Sequence, residues 1–522
     1  MRGRQAVKVL GDILRHHAAE RGGKTALKFG GREHSYADLD RSTNRVANAL
    51  RAAGLGKGAR IALLAANTDR FFELQFGAAK AGVVLVPVNF RLAPPEVAFV
   101  VNDAGAETFF VDAAHAALVR RIAGDLPTVK RIVAVDFADD EWTDYLAWRD
   151  RGGDHECGVE VLETDTACQM YTSGTTGHPK GVELMHCNLM SLMPAATRRW
   201  ANWNADDVNL ICMPLFHIAG GGWGIVGLYS GCTNILQADV DPGLILETIE
   251  TERVSIVLFV PAVILFLTQH PKVKDTDFSS LRLVIYGASP IPLDLLQRAV
   301  GLFGCDFAQV YGLTETSGAI TYLPPEEHRP EGGPRMKSCG KAHEAVEIRI
   351  VDDEGRELPA GEVGEIICRT PQNMKGYWKR PEATAAVLRE GWFRTGDAGY
   401  LDADGYLYIH DRIKDMIVSG GENIYPAEVE SALFGHPAIA DIAVIGVPDV
   451  KWGEAVKAVV VLKEGARLTE DELVAYARER IAGYKAPKSV DFVAELPRNP
   501  SGKILKRELR APYWEGRDRQ VN

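Results

Sequence analysis

Short apolar runs alternate with amphipathic stretches through the first 130 residues, and this rhythm constrains the fold more than any other property of the chain. Arg60-Ile-Ala-Leu-Leu-Ala65 and Val83-Val-Leu-Val-Pro87 read as buried strands, with a helix from Asp69 to Ala81 between them. Tyr36 to Ala53 reads as a further helix, turning Leu39, Val46 and Leu50 inward and closed by Gly54. Strand–helix–strand repetition of this kind predicts an α/β architecture built on a largely parallel sheet. It recurs at Ser255 to Val260 and at Leu281 to Tyr286, each leading into a turn with Pro or Gly.

Beyond about Val346 the pattern becomes strand-rich, at 346–351, 364–369 and 406–409. From Ile417 a compact final unit follows, with strands expected at 442–445, 459–462 and 490–493 and helices at 427–434 and 471–482. The boundary falls in the charged run Asp411-Arg-Ile-Lys-Asp415, between two apolar strands. The expected division is therefore a large, multi-part domain over 1–413 and a small α+β domain over 414–522.

Composition excludes several classes. With 46% hydrophobic and 25% charged residues, the 522-residue chain can bury a sizeable core and is not globally disordered. A net charge of −11 lacks the basic face of a nucleic-acid binder, so no nucleic-acid partner is expected. The eight cysteines form no CxxC pair and are too sparse for a disulfide scaffold, which fits a reducing, cytoplasmic setting. Met1 to His17 has no apolar core of a signal peptide. The uncharged stretch Val208 to Ala238 is long enough to span a bilayer, but it holds six glycines, a proline, a histidine and two asparagines. It reads as buried core with a ligand pocket, so no transmembrane segment is expected.

Four segments carry chemistry. In Tyr171-Thr-Ser-Gly-Thr-Thr-Gly-His-Pro-Lys-Gly181, glycines remove Cβ atoms where backbone N–H groups must close around phosphate oxygens. The hydroxyls of Thr172, Ser173, Thr175 and Thr176 add donors, and Lys180 adds a mobile positive charge. The spacing is not that of a Walker A loop. Tyr311-Gly-Leu-Thr-Glu-Thr316 puts an aromatic face, a hydroxyl and a carboxylate together, suiting a stacked base and a hard cation; alone it also reads as a strand-end turn with Glu315 in solvent. Trp392-Phe-Arg-Thr-Gly-Asp397 offers a carboxylate for two ribose hydroxyls, or a plain turn between strands. Pro497-Arg-Asn-Pro-Ser-Gly-Lys503 places a lysine after a turn, where most lysines are solvated and inert.

Together and in this order, these segments resemble the adenylate-forming (AMP-binding) superfamily, and within it the fatty-acyl-CoA synthetases and other acid–CoA ligases. Val86-Pro-Val-Asn-Phe-Arg91, Met213-Pro-Leu-Phe-His217, Tyr286-Gly-Ala-Ser289 and the run from Asp411 to Glu428 extend the resemblance from about Ile13 to about Arg510. It implies a two-step activity: a carboxylic acid joins AMP with release of pyrophosphate, then passes to coenzyme A. ATP, Mg²⁺ and CoA are the implied cofactors and co-substrates. By similarity, Thr172, Ser173, Gly174, Thr175, Thr176, Gly177 and Lys180 would hold the β and γ phosphates, with Thr172 and Glu315 at the metal. Gly287, Ala288 and Ser289 with Gln309, Val310, Tyr311 and Gly312 would form the adenine slot, Tyr311 stacking on the base. Asp397 and Arg412 would bind the ribose, Thr314 the α-phosphate, and Lys503 would bridge carboxylate and α-phosphate.

The resemblance also implies a C-terminal lid that rotates about Lys414 between the two steps, bringing Ser419, Gly420, Gly421 and Glu422 to the CoA channel. His217 would lie between acyl pocket and CoA tunnel, with Gly222, Trp223, Val260 and Leu313 lining the acyl pocket; some long-chain members carry a tryptophan gate near Trp223. A medium- or long-chain fatty acid is the expected substrate, with aryl, cinnamate-like or steroid-side-chain acids as the alternative. A non-catalytic AMP-binding protein would be expected to have lost Lys503, Glu315 or the loop after Thr172, and all are intact. Gly222-Trp-Gly-Ile-Val-Gly227 matches the dinucleotide fingerprint literally, but no strand–turn–helix frame surrounds it. A homodimer and peripheral contact with a lipid surface stay open.

Overall fold

Arg60–Leu64 and Val84–Val88 lie side by side in parallel, with Arg60 opposite Val84, joined by the helix Asp69–Ala81. The computed structural model describes residues 7–172, 179–289, 291–329, 331–412, 415–419, 422–498 and 503–515. The first sheet has eight strands, in the order Gly376–Tyr377, Lys180–Met185, Thr166–Thr172, Val84–Val88, Arg60–Leu64, Ala106–Val111, Arg131–Ala134, Thr143–Asp144. Only the two joins at the Gly376–Tyr377 edge are antiparallel. A second sheet of nine strands runs Lys341–Ala342, Gly318–Leu323, Asp306–Leu313, Leu283–Gly287, Ile256–Phe259, Val208–Ile211, Thr233–Leu236, Thr25–Phe29, Arg32–Ser35. Its five central joins are parallel.

The helix Asp69–Ala81 ties the two sheets together. Thr68 caps its N-terminus by accepting from the Arg70 N–H, and Gly82 ends it at φ +69°, a left-handed conformation that costs glycine nothing. Phe71, Phe72 and Phe76 share one core with Ile61 and Leu85 of the first sheet and Leu27 and Leu210 of the second. Burial on nearly every side forces its charges to find partners. Asp69 accepts from Arg32 and His34, Glu73 from Arg70 and Tyr145, and Lys80 donates to Asp40 and Asn44. Removing one partner of such a pair strands a charge, at a cost of about 3–5 kcal/mol. The two sheets are thereby fixed relative to one another, and so are the strand ends at their junction.

A third sheet joins Glu347–Val351, Gly364–Arg369, Trp392–Leu401 and Leu388–Arg389, with Leu407–Arg412 paired to Trp392–Leu401. After Asp415 come Ile417–Ser419, Glu422–Ile424, Gly453–Leu462, Ile439–Asp449 and Ser489–Phe492 in a fourth sheet, with helices Pro426–Phe434 and Glu470–Arg478. Alternation along Ile439–Asp449 gives this sheet two faces. Ile442 and Val444 pack under the two helices, while Ala443 and Ile445 pack against Leu509 and Tyr513 of the last helix, Lys506–Trp514. The small unit thus owns its core.

The structure is mixed α/β as expected, with a large body of mostly parallel sheets and a smaller C-terminal unit. Several expected bounds shift. The strands around 442–445 and 459–462 are the middle and end of the longer Ile439–Asp449 and Gly453–Leu462, and the helix expected over 471–482 ends at Arg478. Trp392 to Asp397 is no turn: it is continuous strand, with Gly396 accommodated at φ +70°. Val208 to Ala238 folds as strand, π-turn, helix and strand, and no helix among the described residues is long and apolar enough to cross a membrane.

Candidate active site

Three sheets meet where the motifs converge. Thr172 ends one strand and Lys180 begins the next, paired across the hairpin; Ser173 to Gly177 lie outside the described residues. The hairpin is anchored from behind. Tyr171 Oη donates to Asp103 Oδ2 at 2.7 Å, and burial together with that carboxylate pushes the phenol pKa up. Arg380 donates to the other Asp103 oxygen at 2.8 Å, and the Trp378 indole donates to the Asp103 carbonyl at 3.0 Å. Arg60 stacks 3.4 Å from the centre of the Trp378 ring and donates to Glu183 of the Lys180–Met185 strand at 2.9 Å.

From the second sheet, Asp306–Leu313 runs into the 3₁₀ turn Thr314–Thr316. Glu315 does not face open solvent. Its carbonyl accepts from the Met374 N–H at 2.7 Å and its Oε1 accepts from the Tyr377 hydroxyl at 3.0 Å. The Tyr377 ring also lies 5.0 Å under the Lys180 ammonium. Lys180 and Glu315, from two different sheets, are thus brought to one side chain. Thr172 and Glu315 offer hard oxygen donors, and no group of three or more His, Cys, Asp or Glu among the described residues forms a cage of its own. One carboxylate and a hydroxyl, with the rest left to phosphate and water, is a donor set that fits Mg²⁺.

Gly287 pairs with Val310 on the next strand, and Ala288 follows at φ +70°, a left-handed conformation in which a non-glycine residue is strained. The strain sits at the mouth of the expected adenine slot, next to Ser289. Tyr311 is half-buried and donates to Asp397 Oδ2 at 2.7 Å, bringing the third sheet to the site. Asp397 in turn pairs through the backbone with Arg412, whose side chain lies outside the described residues. Gln309 is turned inward: it is buried, and its amide meets the Cys339 sulfur at 3.6 Å. Its amide is therefore committed to Cys339 in the interior.

The acyl side differs more from expectation. His217 starts the π-turn Ile218–Gly222, its Nε2 is buried without a partner among the described residues, and its ring lies 4.4 Å from that of Phe216. Trp223 is tied into the core instead of standing as a gate: its indole donates to the Leu210 carbonyl at 3.2 Å, and its ring meets Trp203 edge-on at 5.1 Å. Val260 is likewise buried, capping the helix Pro261–Gln269. Gly222 and Gly318 are half-buried and closely packed around Ile218: an added Cβ would come 3.0 Å from Ile218 at the first and 3.1 Å from Leu192 at the second. Leu313 stands half-buried beside it, its N–H donating to Thr316 Oγ1 at 2.9 Å. Leu192, Ile218 and Tyr377 escaped the sequence reading, being ordinary residues outside any motif.

In the small unit, Ser419 is buried, Lys503 is exposed beside a bridge between Arg498 and Ile504, and Asp415 pairs with Arg510 at 2.8 Å. Lys414, Gly420 and Gly421 and the Glu422 side chain lie outside the described residues.

The sequence profile described as "AMP-binding enzyme" matches residues 14–378, and that of the "AMP-binding enzyme C-terminal domain" matches residues 428–503. The chain belongs to the AMP-binding enzyme family. Its relatives place it among the adenylate-forming acid–thiol ligases. It is 40% identical to the fatty acid–[acyl-carrier-protein] ligase ScoC of Streptomyces coeruleorubidus, over 97% of this chain and 96% of that one. It is 42% identical to a feruloyl-CoA synthase of Amycolatopsis sp, over 94% and 96% respectively. The solved structure of the anthranilate CoA ligase AuaEII with anthranoyl-AMP superposes with a TM-score of 0.90 at 29% identity, covering 97% of each chain.

Buried histidines are expected to make the fold of this family member acid-sensitive. Burial pushes His217 down to about 4, the Arg91 cation adding to the effect, and burial likewise brings His17, His186 and His328 to about 4. Each is held neutral in the native state but takes a proton near pH 6.5 once unfolded. The stability each contributes is therefore present above pH 6.5 and lost as pH falls toward 4, at up to about 1.4 kcal/mol per pH unit per histidine. Urea midpoints measured from pH 7.5 to 4.5 should fall steeply below 6.5; a flat profile through that window would refute the assignment.

Proposed function

We propose that the protein is an AMP-forming ligase that activates a medium- or long-chain fatty acid and transfers it to CoA. In the first step a carboxylate oxygen attacks the α-phosphorus of ATP, the α–β bridging bond breaks, and pyrophosphate leaves. In the second, the CoA thiol, losing its proton, attacks the acyl carbonyl and AMP leaves. The observation that carries this reading is the convergence of Thr172, Lys180 and Glu315 beside the Tyr311–Asp397 pair. Both reactants of the first step are anions, so neutralisation and alignment dominate its barrier. Lys180 and the Thr172 loop hold the β and γ phosphates, Gly287 to Ser289 and Tyr311 hold adenine, and Asp397 with Arg412 holds ribose. Thr314 meets the α-phosphate. Mg²⁺ at Thr172 and Glu315 supplies charge neutralisation of the phosphates when bound.

Lys503 bridges carboxylate and α-phosphate in the first step, and rotation about Lys414 then withdraws it and presents Ser419 to Glu422 to the pantetheine arm. Support for a moving lid comes from the separate core of the small unit. The acyl body lies against Ile218, Gly222, Leu192, Leu313 and Gly318, with His217 at the junction with the thiol path. The apolar character of these residues suits an alkyl chain. A second reading, an aryl acid, is favoured by the feruloyl-CoA synthase relative, at 42% identity against 40% for the fatty-acid ligase.

Carboxylate-dependent ATP–pyrophosphate exchange across short, medium, long-chain and aryl acids tests both readings, with active acids rerun in the presence of CoA. Fatty acids should support exchange and CoA-dependent AMP release. Exchange with aryl acids alone would transfer the assignment to the second reading. No exchange with any acid would overturn both.

A further inference from the structure

Tyr377 contacts two groups of opposite charge at the site. Its hydroxyl donates to Glu315 Oε1 at 3.0 Å, and its ring face lies 5.0 Å from the Lys180 ammonium. Glu315 and Lys180 carry opposite charges and touch the same side chain, yet among the described residues they form no ion pair with each other. The Tyr377 backbone leaves it little freedom. Gly376 and Tyr377 pair with Glu183 and Val182, the Trp378 N–H donates to the Gly181 carbonyl at 2.7 Å, and the Tyr377 N–H donates to Thr384 Oγ1 at 2.9 Å. On the other side, the Met374 N–H holds the Glu315 carbonyl at 2.7 Å. One five-residue segment, 374–378, therefore stitches the Lys180 strand of the first sheet to the Glu315 turn of the second.

We infer that Tyr377 is a positioning residue for adenylation, which insulates Lys180 from Glu315 and orients the Glu315 carboxylate toward the nucleotide-bound cation. The inference rests on the ligase reading above. A carboxylate and an ammonium left facing each other in an empty cleft would pair, and the pair would have to break before phosphate or cation could bind. An aromatic face satisfies the ammonium by its quadrupole while remaining easy to leave when a phosphate arrives. A neutral phenol donor occupies one lone pair of one carboxylate oxygen, fixes the plane of the group and leaves its charge intact for a metal. The two functions belong to different atoms of one side chain, so they separate by mutation.

Tyr377→Phe keeps the ring and loses the hydroxyl, whereas Tyr377→Leu loses both. The probe is α,β-methylene-ATP, whose α–β link cannot be split, titrated calorimetrically with and without Mg²⁺ alongside Mg²⁺ titrations of ATP–pyrophosphate exchange and thermal unfolding. For Tyr377→Phe we expect unchanged metal-free nucleotide affinity and an unchanged melting temperature, with half-saturating Mg²⁺ raised about 3- to 10-fold. Tyr377→Leu should in addition weaken metal-free binding by about 3- to 10-fold, as Lys180 turns to Glu315. A Phe variant equal to wild type in both titrations overturns the inference. So does parallel loss of melting temperature and of both affinities in the two variants, which would make Tyr377 a structural brace. Wild type failing to bind the nucleotide overturns the ligase reading and this inference with it; wild-type binding with indifferent variants overturns the inference alone.

Discussion

Lys503→Ala is expected to lower acid-dependent ATP–pyrophosphate exchange by about 10²–10³-fold, the loss typical of one preorganised donor at a developing charge. Thioester formation from supplied acyl-AMP and CoA should stay close to wild type. The position favours a clean result. Lys503 is exposed next to the Arg498–Ile504 bridge and lies outside the buried clusters of the small unit, so truncation leaves that core untouched. Equal loss of both half-reactions would remove the lysine from its proposed role, and loss of neither would place the first-step cation elsewhere.

Gly312→Ala should be the more destructive substitution. A Cβ there would stand 1.9 Å from the Gly318 carbonyl oxygen and 2.7 Å from the Ala319 Cα, atoms of the partner strand that cannot swing aside. The pairing is already irregular between Tyr311 and Gly312, so the added methyl must open the Asp306–Leu313 and Gly318–Leu323 hairpin. Overpacking of this kind costs about 1–3 kcal/mol. The functional loss should be larger, about 10²-fold in exchange, because the same hairpin carries Tyr311 toward Asp397 and delivers Glu315. Gly301→Ala is the control: this glycine lies in the helix Leu293–Phe303 with open space around it, so alanine should be neutral or slightly stabilising. A Gly312→Ala protein with native melting temperature and full exchange would show that the hairpin can give, and would undo the argument.

The parts legible in the sequence are those whose cause is local. The Asp69–Ala81 helix was readable to its ends because Thr68 and Gly82 punctuate it and the flanking strands are apolar apart from Arg60. The long C-terminal strands were read too short because Asp441, Pro448 and Glu454 sit within their length, and pairing with a neighbour overrides such local signals. Among site residues, Lys180, Glu315, Tyr311 and Asp397 were legible through motifs whose composition suits phosphate, cation and ribose. The contacts that gather them were not, since those contacts cross between three sheets. Tyr377 had no local signal: its meaning lies in a hydrogen bond and a ring contact to two distant segments. Trp223 shows the reverse failure, a conspicuous residue in a glycine-rich run whose indole is committed to the Leu210 carbonyl.

The separate core of the C-terminal unit has a consequence for throughput. Under the two-position cycle proposed above, swinging this unit leaves its internal packing intact, so the free energy of each position is set by the surface it shares with the large body. That shared surface includes Phe434, packed on the large core, and Gly435, where a Cβ would come 2.2 Å from Asp294 Oδ2. The fraction of time spent poised for each half-reaction then acts as a duty cycle written in residues that never meet a substrate. About 1.4 kcal/mol at such a joint shifts that fraction's odds tenfold. Selection for faster activation or faster transfer can therefore act at the joint while Lys180, Glu315 and Lys503 stay unchanged.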